Sequence, residues 1–189
     1  VHFAIDTDEI YMTTKLDGAK TFFLPFNLGN NFGKGNPANP FGHKTAYFWQ
    51  EILKKESIAN IIQHFVRFDG GEKEPLSKKT LYFPRYHQLD VVRRLIKDTS
   101  SNGAGKKYLI QHSAGSGKSN SITWLAYQLI EVYPENTNSA KNKDSNEPLF
   151  DSVIVVTDRR LLDKQLRENI KDFSEVKNIV APAYSSSDL

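Results

Sequence analysis

Residues 107–133 read KYLIQHSAGSGKSNSITWLAYQLIEVY, and this stretch decides the fold of the second half of the chain. The apolar triplet that starts at Tyr108 predicts a short strand over residues 107–111. Apolar residues then recur at helical spacing and predict a helix over residues 119–133. The connecting residues 112–119 are rich in glycine and serine. A strand, a small-residue loop and a helix in this order are typical of a site that binds phosphate groups.

The connecting loop reads HSAGSGKS and matches the phosphate-loop pattern GxxxxGK[ST], except that His112 replaces the first glycine. Small residues let successive backbone N–H groups converge on an anion. Lys118 would bring a positive charge to the β- and γ-phosphates, and Ser119 would place its hydroxyl on Mg²⁺. We therefore predict that the nucleotide phosphates are bound by Ser113, Ala114, Gly115, Ser116, Gly117, Lys118 and Ser119.

The remainder of residues 75–189 alternates between helical and strand-like patterns. Residues 153–156, VIVV, form an unbroken apolar run that is typical of a parallel strand buried on both faces. Further elements are predicted as helices at residues 85–97 and 160–173 and as a strand at residues 178–181. This alternation predicts an α/β fold in which helices cover a parallel sheet.

Residues 1–74 have a different pattern, which predicts a mixed α+β region. Asp6, Thr7 and Asp8 form a predicted turn, because their side chains readily bond to nearby backbone. Residues 28–42 contain ten Gly, Asn and Pro residues, which excludes a helix or a central strand there. Other elements are expected as strands at residues 1–5, 9–14 and 20–26 and as a helix at residues 45–68 with a break at 54–57.

The composition excludes several classes of protein. The chain has 189 residues and a net charge of +3. Because it contains no cysteine, disulfide scaffolds and cysteine-based zinc sites are excluded. The five histidines show no metal-ligand spacing. No apolar run approaches the ~20 residues needed to span a bilayer, and we expect a cytoplasmic protein. Because the chain starts with Val1 and ends in a polar stretch, we expect a piece of a longer protein. Both tryptophans, Trp49 and Trp124, are expected in the core.

Upstream of the loop, residues 82–88 suggest a way to recognise adenine. The amide of Gln88 can donate to and accept from the adenine edge at once, and Phe83 or Tyr82 could stack on the base. The alternative is purely structural: a helix starts at Pro84 and exposes Gln88. Taken alone, this stretch favours the structural alternative.

Downstream, Thr157, Asp158 and Arg159 follow the predicted strand at residues 153–156. They would lie at its carboxyl end, where open α/β sheets bind ligands. The hydroxyl of Thr157 and the guanidinium of Arg159 suit a phosphate backbone. The alternative is that Asp158 caps the next helix and Arg159 is solvated.

Together, these motifs resemble the motor of superfamily 2 helicases. Arg85-x-x-Gln88 is similar to its adenine-reading Q-type motif, residues 112–119 to motif I and residues 157–165 to motif Ia. The amino-acid sequence resembles one branch of this superfamily more closely, the R (motor and endonuclease) subunit of type I restriction–modification enzymes. The segments that carry this resemblance are HFAIDTDEIYMTT, FFLPFNLGNNFGKGNPANP, FPRYHQLDVV, IQHSAGSGKSNSI and VIVVTDRRLLDKQL.

The resemblance implies a recA-like P-loop NTPase domain, the first part of motor domain 1, in residues 75–189. Residues 1–74 would be the end of the endonuclease domain and its linker. The implied cofactors are ATP and Mg²⁺, with Gln88 and Arg85 at the adenine. The implied partners are double-stranded DNA and the modification and specificity subunits. The implied contacts with the DNA backbone come from Thr157, Arg159 and Gln165.

The implied activity is ATP-dependent translocation of DNA followed by cleavage. The acidic ATPase motif and the nuclease motif, an Asp followed by Glu-x-Lys, are missing from these residues, so the piece itself is expected to be catalytically inactive. Three alternatives stay open: another superfamily 2 helicase or ATPase, a P-loop kinase, and a module that binds nucleotide or DNA without turnover.

Overall fold

A computed structural model describes residues 1–70, 74–135, 147–158, 160–171, 180–181 and 183, without the side chains of residues 160–163 and 165. The chain forms two compact units, Val1–Asp90 and Val91–Leu189. The domain boundary expected at residue 74 comes from the resemblance and stays a prediction.

The first unit begins with a three-stranded antiparallel sheet in the order β1-β2-β3. Phe3 lies opposite Met12 in its first pair of strands. The connecting turn forms as predicted, because Asp6 Oδ1 accepts the N–H groups of Asp8 and Glu9 at 2.7 and 2.8 Å. The strands are β1 His2–Ile5, β2 Ile10–Thr13 and β3 Leu24–Pro25, the last being shorter than the predicted strand at residues 20–26.

The helix expected over residues 45–68 is broken near the predicted position and ends early. One π-helical turn, Phe48–Ile52, precedes α1, Lys55–His64. The chain then enters β4, Arg67–Asp69, which pairs antiparallel with β5, Thr80–Tyr82. Helical periodicity alone did not reveal this change, because the partner strand lies about a dozen residues further along the chain.

Aromatic rings form the core of the first unit, and Phe26 lies at their centre. Its ring is fully buried, and the hydroxyl of Tyr47 donates to the Phe26 carbonyl at 2.6 Å. Burial raises the pKa of Tyr47. The rings with centroids 5.4–6.3 Å from that of Phe26 belong to Phe3, Phe48, Phe83 and Tyr86.

The loop at residues 28–42 contains no helix or strand, as predicted, and Asn36 links it by hydrogen bonds to the turn between β1 and β2. This side chain is 6% exposed. Its Oδ1 accepts the N–H of Leu28 at 2.8 Å, and its Nδ2 donates to the Asp8 carbonyl at 2.8 Å. The buried amide therefore replaces the backbone pairing that the loop lacks.

Three helices lie where the sequence predicts them. They are α2 Tyr86–Asn102, α3 Lys118–Leu129 and α4 Arg160–Lys171. α3 packs against α4, with Trp124 and Leu166 each 1% exposed. The prediction for Trp124 is confirmed, whereas that for Trp49 is wrong, because Trp49 is 47% exposed.

The strands predicted at residues 107–111 and 153–156 are absent: neither segment pairs with a strand in the described part of the chain. Leu109 and Val156 are 96% and 86% exposed. Apolar character alone does not make a strand, because a strand needs a partner edge for its backbone hydrogen bonds. Both described sheets are antiparallel. Half of the strand expected at residues 178–181 lies outside the described residues, and residues 180–181 are not in a strand.

Candidate phosphate-binding site

Two glycines shape the loop that precedes α3. Gly115 has φ +72°, and Gly117, which directly precedes the helix, has φ +78° and ψ +37°. This left-handed conformation costs an L-residue with a side chain roughly 1–2 kcal/mol. The glycines of the sequence motif therefore stand where the backbone reverses to enter the helix, which is how such a loop turns its N–H groups toward one point.

The N-terminus of α3 directly follows the loop. No side chain caps the helix, and the N–H groups of its first two residues, Lys118 and Ser119, have no acceptor within the helix. The N–H of Asn120 returns to the Gly117 carbonyl at 3.0 Å. Uncapped N–H groups and the positive end of the helix dipole favour an anion at this point.

The ammonium group of Lys118 lies over the loop backbone. Its Nζ donates to the carbonyls of Ser113 at 2.8 Å and His112 at 3.3 Å. The side chain is exposed, so these carbonyls can be exchanged for phosphate oxygens without displacing packed atoms. His112, the departure from the usual pattern, contributes a backbone carbonyl and leaves this geometry intact.

A cluster around Asp98 anchors the chain that leads into the loop. Lys106 Nζ donates to both carboxylate oxygens of Asp98 at 2.8 and 3.0 Å, and the Tyr108 hydroxyl also donates to it. The hydrogen bond from Lys106, followed by that from Tyr108, lowers the pKa of Asp98. Sequence reasoning missed this cluster, because its members lie eight and ten residues apart with no regular period.

Gln88 lies near the N-terminus of α2, in the first unit. It is 3% exposed, and its Oε1 accepts the N–H of Arg85 at 2.8 Å. This hydrogen bond is half of a capping box. The structural alternative correctly predicted that a helix starts here, but it wrongly placed Gln88 on the exposed face of that helix.

The two rings suggested as base-stacking partners pack within the first unit. Phe83 meets Phe3 edge-on, with centroids 5.9 Å apart. The guanidinium of Arg67 lies 4.4 Å from the centre of the Tyr82 ring. Each ring therefore has a structural partner, which the local sequence did not indicate.

The residues predicted to contact DNA are only partly described. Thr157 is half-buried beside the exposed Asp158. Arg159 and the side chain of Gln165 lie outside the described residues. They stay predictions.

Comparison with known proteins gives the class of this chain. A family model for the SWI2/SNF2 ATPase matches residues 87–189. The match spans more than half of the chain, and the chain belongs to this family. Its second unit is therefore part of a helicase-like P-loop ATPase domain.

The chain is also similar to a protein with a known role. The chain is 29% identical over 130 residues to the type I restriction enzyme HindI endonuclease subunit of Haemophilus influenzae. The match covers 68% of this chain and 11% of the relative, so the chain spans about a tenth of that protein's length. The resemblance to R subunits is confirmed. No solved structure matches the chain. None of the described helices has the length and apolar character to cross a membrane.

Proposed function

We propose that this chain is part of the motor subunit of a type I restriction enzyme, which uses ATP to translocate duplex DNA before cutting it. The single observation that carries the proposal is the glycine-shaped loop at residues 112–119, which ends at the uncapped start of α3 in a SWI2/SNF2 ATPase chain. The similarity to a restriction endonuclease subunit supports the choice of system.

In this proposal, residues 75–189 are the first part of a recA-like motor domain, and residues 1–74 end the endonuclease domain. The apolar segments at residues 107–111 and 153–156 would belong to the parallel sheet of that domain. Their unbroken apolar character, which is typical of strands buried in a parallel sheet, and the resemblance of the segments around them support this assignment.

The proposed nucleotide is ATP with Mg²⁺, and the loop residues fit that ligand. The backbone of residues 113–119 would surround the phosphates, Lys118 would move from its carbonyl partners to the β/γ-phosphates, and the Ser119 hydroxyl would hold the metal. Mg²⁺ would neutralise phosphate charge when bound. Small exposed residues at the loop, with nothing within 4 Å of a Cβ added at Gly115, leave room for this group.

We further propose that Thr157, Arg159 and Gln165 contact the DNA backbone. Such contacts position the protein on DNA without recognising the base sequence. The proposed partners are double-stranded DNA and the modification and specificity subunits, in the cytoplasm. Support for these assignments comes from the resemblance of residues 157–165 and from the restriction-enzyme relative.

The phosphate site is tested by Lys118→Ala. We expect at least about a tenfold loss of affinity for fluorescent ADP and ATP analogues with Mg²⁺, because charge-assisted hydrogen bonds contribute ~1.5–3 kcal/mol each. The matched control is Lys97→Ala, which removes an exposed lysine of α2 and leaves affinity unchanged. Equal binding by the wild type and Lys118→Ala would contradict the proposal, as would equal losses in both lysine variants.

Gln88→Ala tests the adenine assignment. Because an amide that reads adenine accepts from its amino group, which inosine lacks, we expect a preference for ADP over inosine diphosphate. The variant should lower ADP affinity about fivefold, as expected for one or two lost hydrogen bonds, and leave inosine diphosphate within about twofold. A merely structural cap would weaken both nucleotides equally. Gln63→Ala, at an exposed glutamine of α1, is the control.

A further inference from the structure

Asp98 accepts more hydrogen bonds than its place near the end of α2 explains. Lys106 Nζ donates to both of its oxygens at 2.8 and 3.0 Å, Asn102 Nδ2 donates to Oδ1 at 2.8 Å, and the Tyr108 hydroxyl donates to Oδ2. These bonds use about as many acceptor sites as an ionised carboxylate has. Asp98 lies one turn before Asn102, where α2 ends, and a negative charge near a helix C-terminus interacts unfavourably with the helix dipole. Helix stability therefore does not account for a carboxylate at this position.

The segment that Asp98 binds has few other attachments. No backbone hydrogen bond joins residues 104–111 to another described residue, and they belong to neither described sheet. Tyr108 and Ile110 line an apolar cavity of about 290 Å³, whose other walls include α2 and α3. The cavity leaves these two side chains without packing partners on one side. The polar bonds from Lys106 and Tyr108 to α2 therefore determine where the segment lies.

The phosphate loop begins directly after this segment. His112 and Ser113 supply the carbonyl oxygens that accept from Lys118 Nζ at 3.3 and 2.8 Å. His112 follows Tyr108 by four residues. A link of four residues spans at most about 14 Å, so the region open to the loop is set by where Tyr108 is held. The loop is thus held at both ends, by Tyr108 on α2 and by the start of α3.

We propose that Asp98 is a positioning residue for the phosphate loop. It holds Lys106 and Tyr108 on α2, and through them it sets the affinity of the loop for nucleotide without contacting the nucleotide itself. The inference rests on the proposed function, in which the loop binds the phosphates of ATP. The alternative is an ion pair that serves stability alone, because the side chains of Asp98 and Lys106 are 33% and 49% exposed and exposed pairs are usually weak.

The test titrates a fluorescent ADP analogue with Mg²⁺ into the full 189-residue chain and its variants. Asp98→Asn keeps the size of the side chain and removes its charge. We expect it to bind ADP about threefold to tenfold more weakly, which is within the range for residues that act without touching the ligand. Asp98→Glu restores the charge and should recover most of the affinity. Glu131→Gln removes the charge of another exposed carboxylate in the same unit and should bind like the wild type.

Three further measurements separate positioning from a purely structural role. Tyr108→Phe keeps the ring and removes its bond to Asp98, so it should also weaken ADP binding, though less than Asp98→Asn. The urea midpoint of Asp98→Asn should stay near that of the wild type, because relief of the unfavourable dipole interaction offsets the lost ion pair. Without nucleotide, trypsin should cleave after the exposed Lys107 faster in Asp98→Asn than in Glu131→Gln, because the segment has lost its anchor.

The inference would be overturned by wild-type ADP affinity in Asp98→Asn, by an equal loss in Glu131→Gln, or by a loss that Asp98→Glu does not reverse. A lower urea midpoint of Asp98→Asn with unchanged ADP affinity would overturn it too and leave an ion pair that serves stability alone.

The titrations of Lys118→Ala separate this inference from the proposed function. Lost affinity in Lys118→Ala with wild-type affinity in Asp98→Asn would reject the positioning role and keep the phosphate site. Faster cleavage after Lys107 in Asp98→Asn, without any binding that depends on Lys118, would show that Asp98 anchors the segment. It would also reject the phosphate site, and the positioning role with it.

Discussion

Phe26→Ala is expected to lower the free energy of unfolding of the first unit by about 3–5 kcal/mol, the usual cost of truncating a buried aromatic residue. Phe26 is fully buried. Its ring contacts residues from β1, from the π-helical turn and from the start of α2, with Phe3 the nearest of them at 5.4 Å. The cavity would open where these elements meet, so no single side chain can move to fill it.

Urea unfolding followed by tyrosine fluorescence of the aromatic core measures this loss. Phe22→Ala is the matched control, because Phe22 lies four residues away and is 76% exposed. A surface truncation of this kind changes stability by less than about 0.5 kcal/mol. Similar losses in both variants would mean that the ring cluster is not the core of this unit.

The sequence alone predicted those parts of the fold that are determined by residues close together in the chain. Asp6 accepts two backbone N–H groups within three residues, and such turns can be read directly from residue type. The helix over Lys118–Leu129 follows from spacing. The left-handed Gly117 follows from the glycine itself. The loop at residues 112–119 is likewise contiguous, which is why its conformation could be anticipated.

The parts that sequence reasoning missed depend on residues far apart in the chain. Arg67 is opposite Tyr82 in the β4–β5 pair, and helical periodicity extended the preceding helix through it. Asn36 looked like one of many loop asparagines, yet it donates to Asp8, 28 residues earlier. Gln88 looked exposed on its helix, yet it is buried. Burial is a property of the assembled chain, and residue type constrains it weakly for polar side chains.

The two tryptophans illustrate the same limit within one residue type. Both occur in helical stretches, and composition gives no reason to separate them. Trp124 is 1% exposed and Trp49 is 47% exposed. The difference comes from the neighbours: α4 lies against α3 and covers its inner face. This contrast provides a matched pair of variants for testing how the phosphate loop is supported.

Trp124→Ala is expected to lower the unfolding free energy of the second unit by about 3–5 kcal/mol. Trp124 lies six residues after Lys118 on α3, so the cavity would lie beneath the helix whose N-terminus forms the phosphate site. We therefore expect fluorescent ADP to bind more weakly as α3 loses its packing against α4. Urea unfolding followed by far-ultraviolet circular dichroism, with an ADP titration, measures both effects.

Trp49→Ala is the control, since it removes the same side chain from an exposed position in the other unit. It should lose about half as much stability and retain wild-type ADP affinity, because roughly half as much of the side chain leaves the interior. Full ADP affinity in Trp124→Ala would show that the loop at residues 112–119 holds its shape without the packing of α3. Glycine conformation and the helix start would then be sufficient for the site, and the buried face of α3 would serve stability alone.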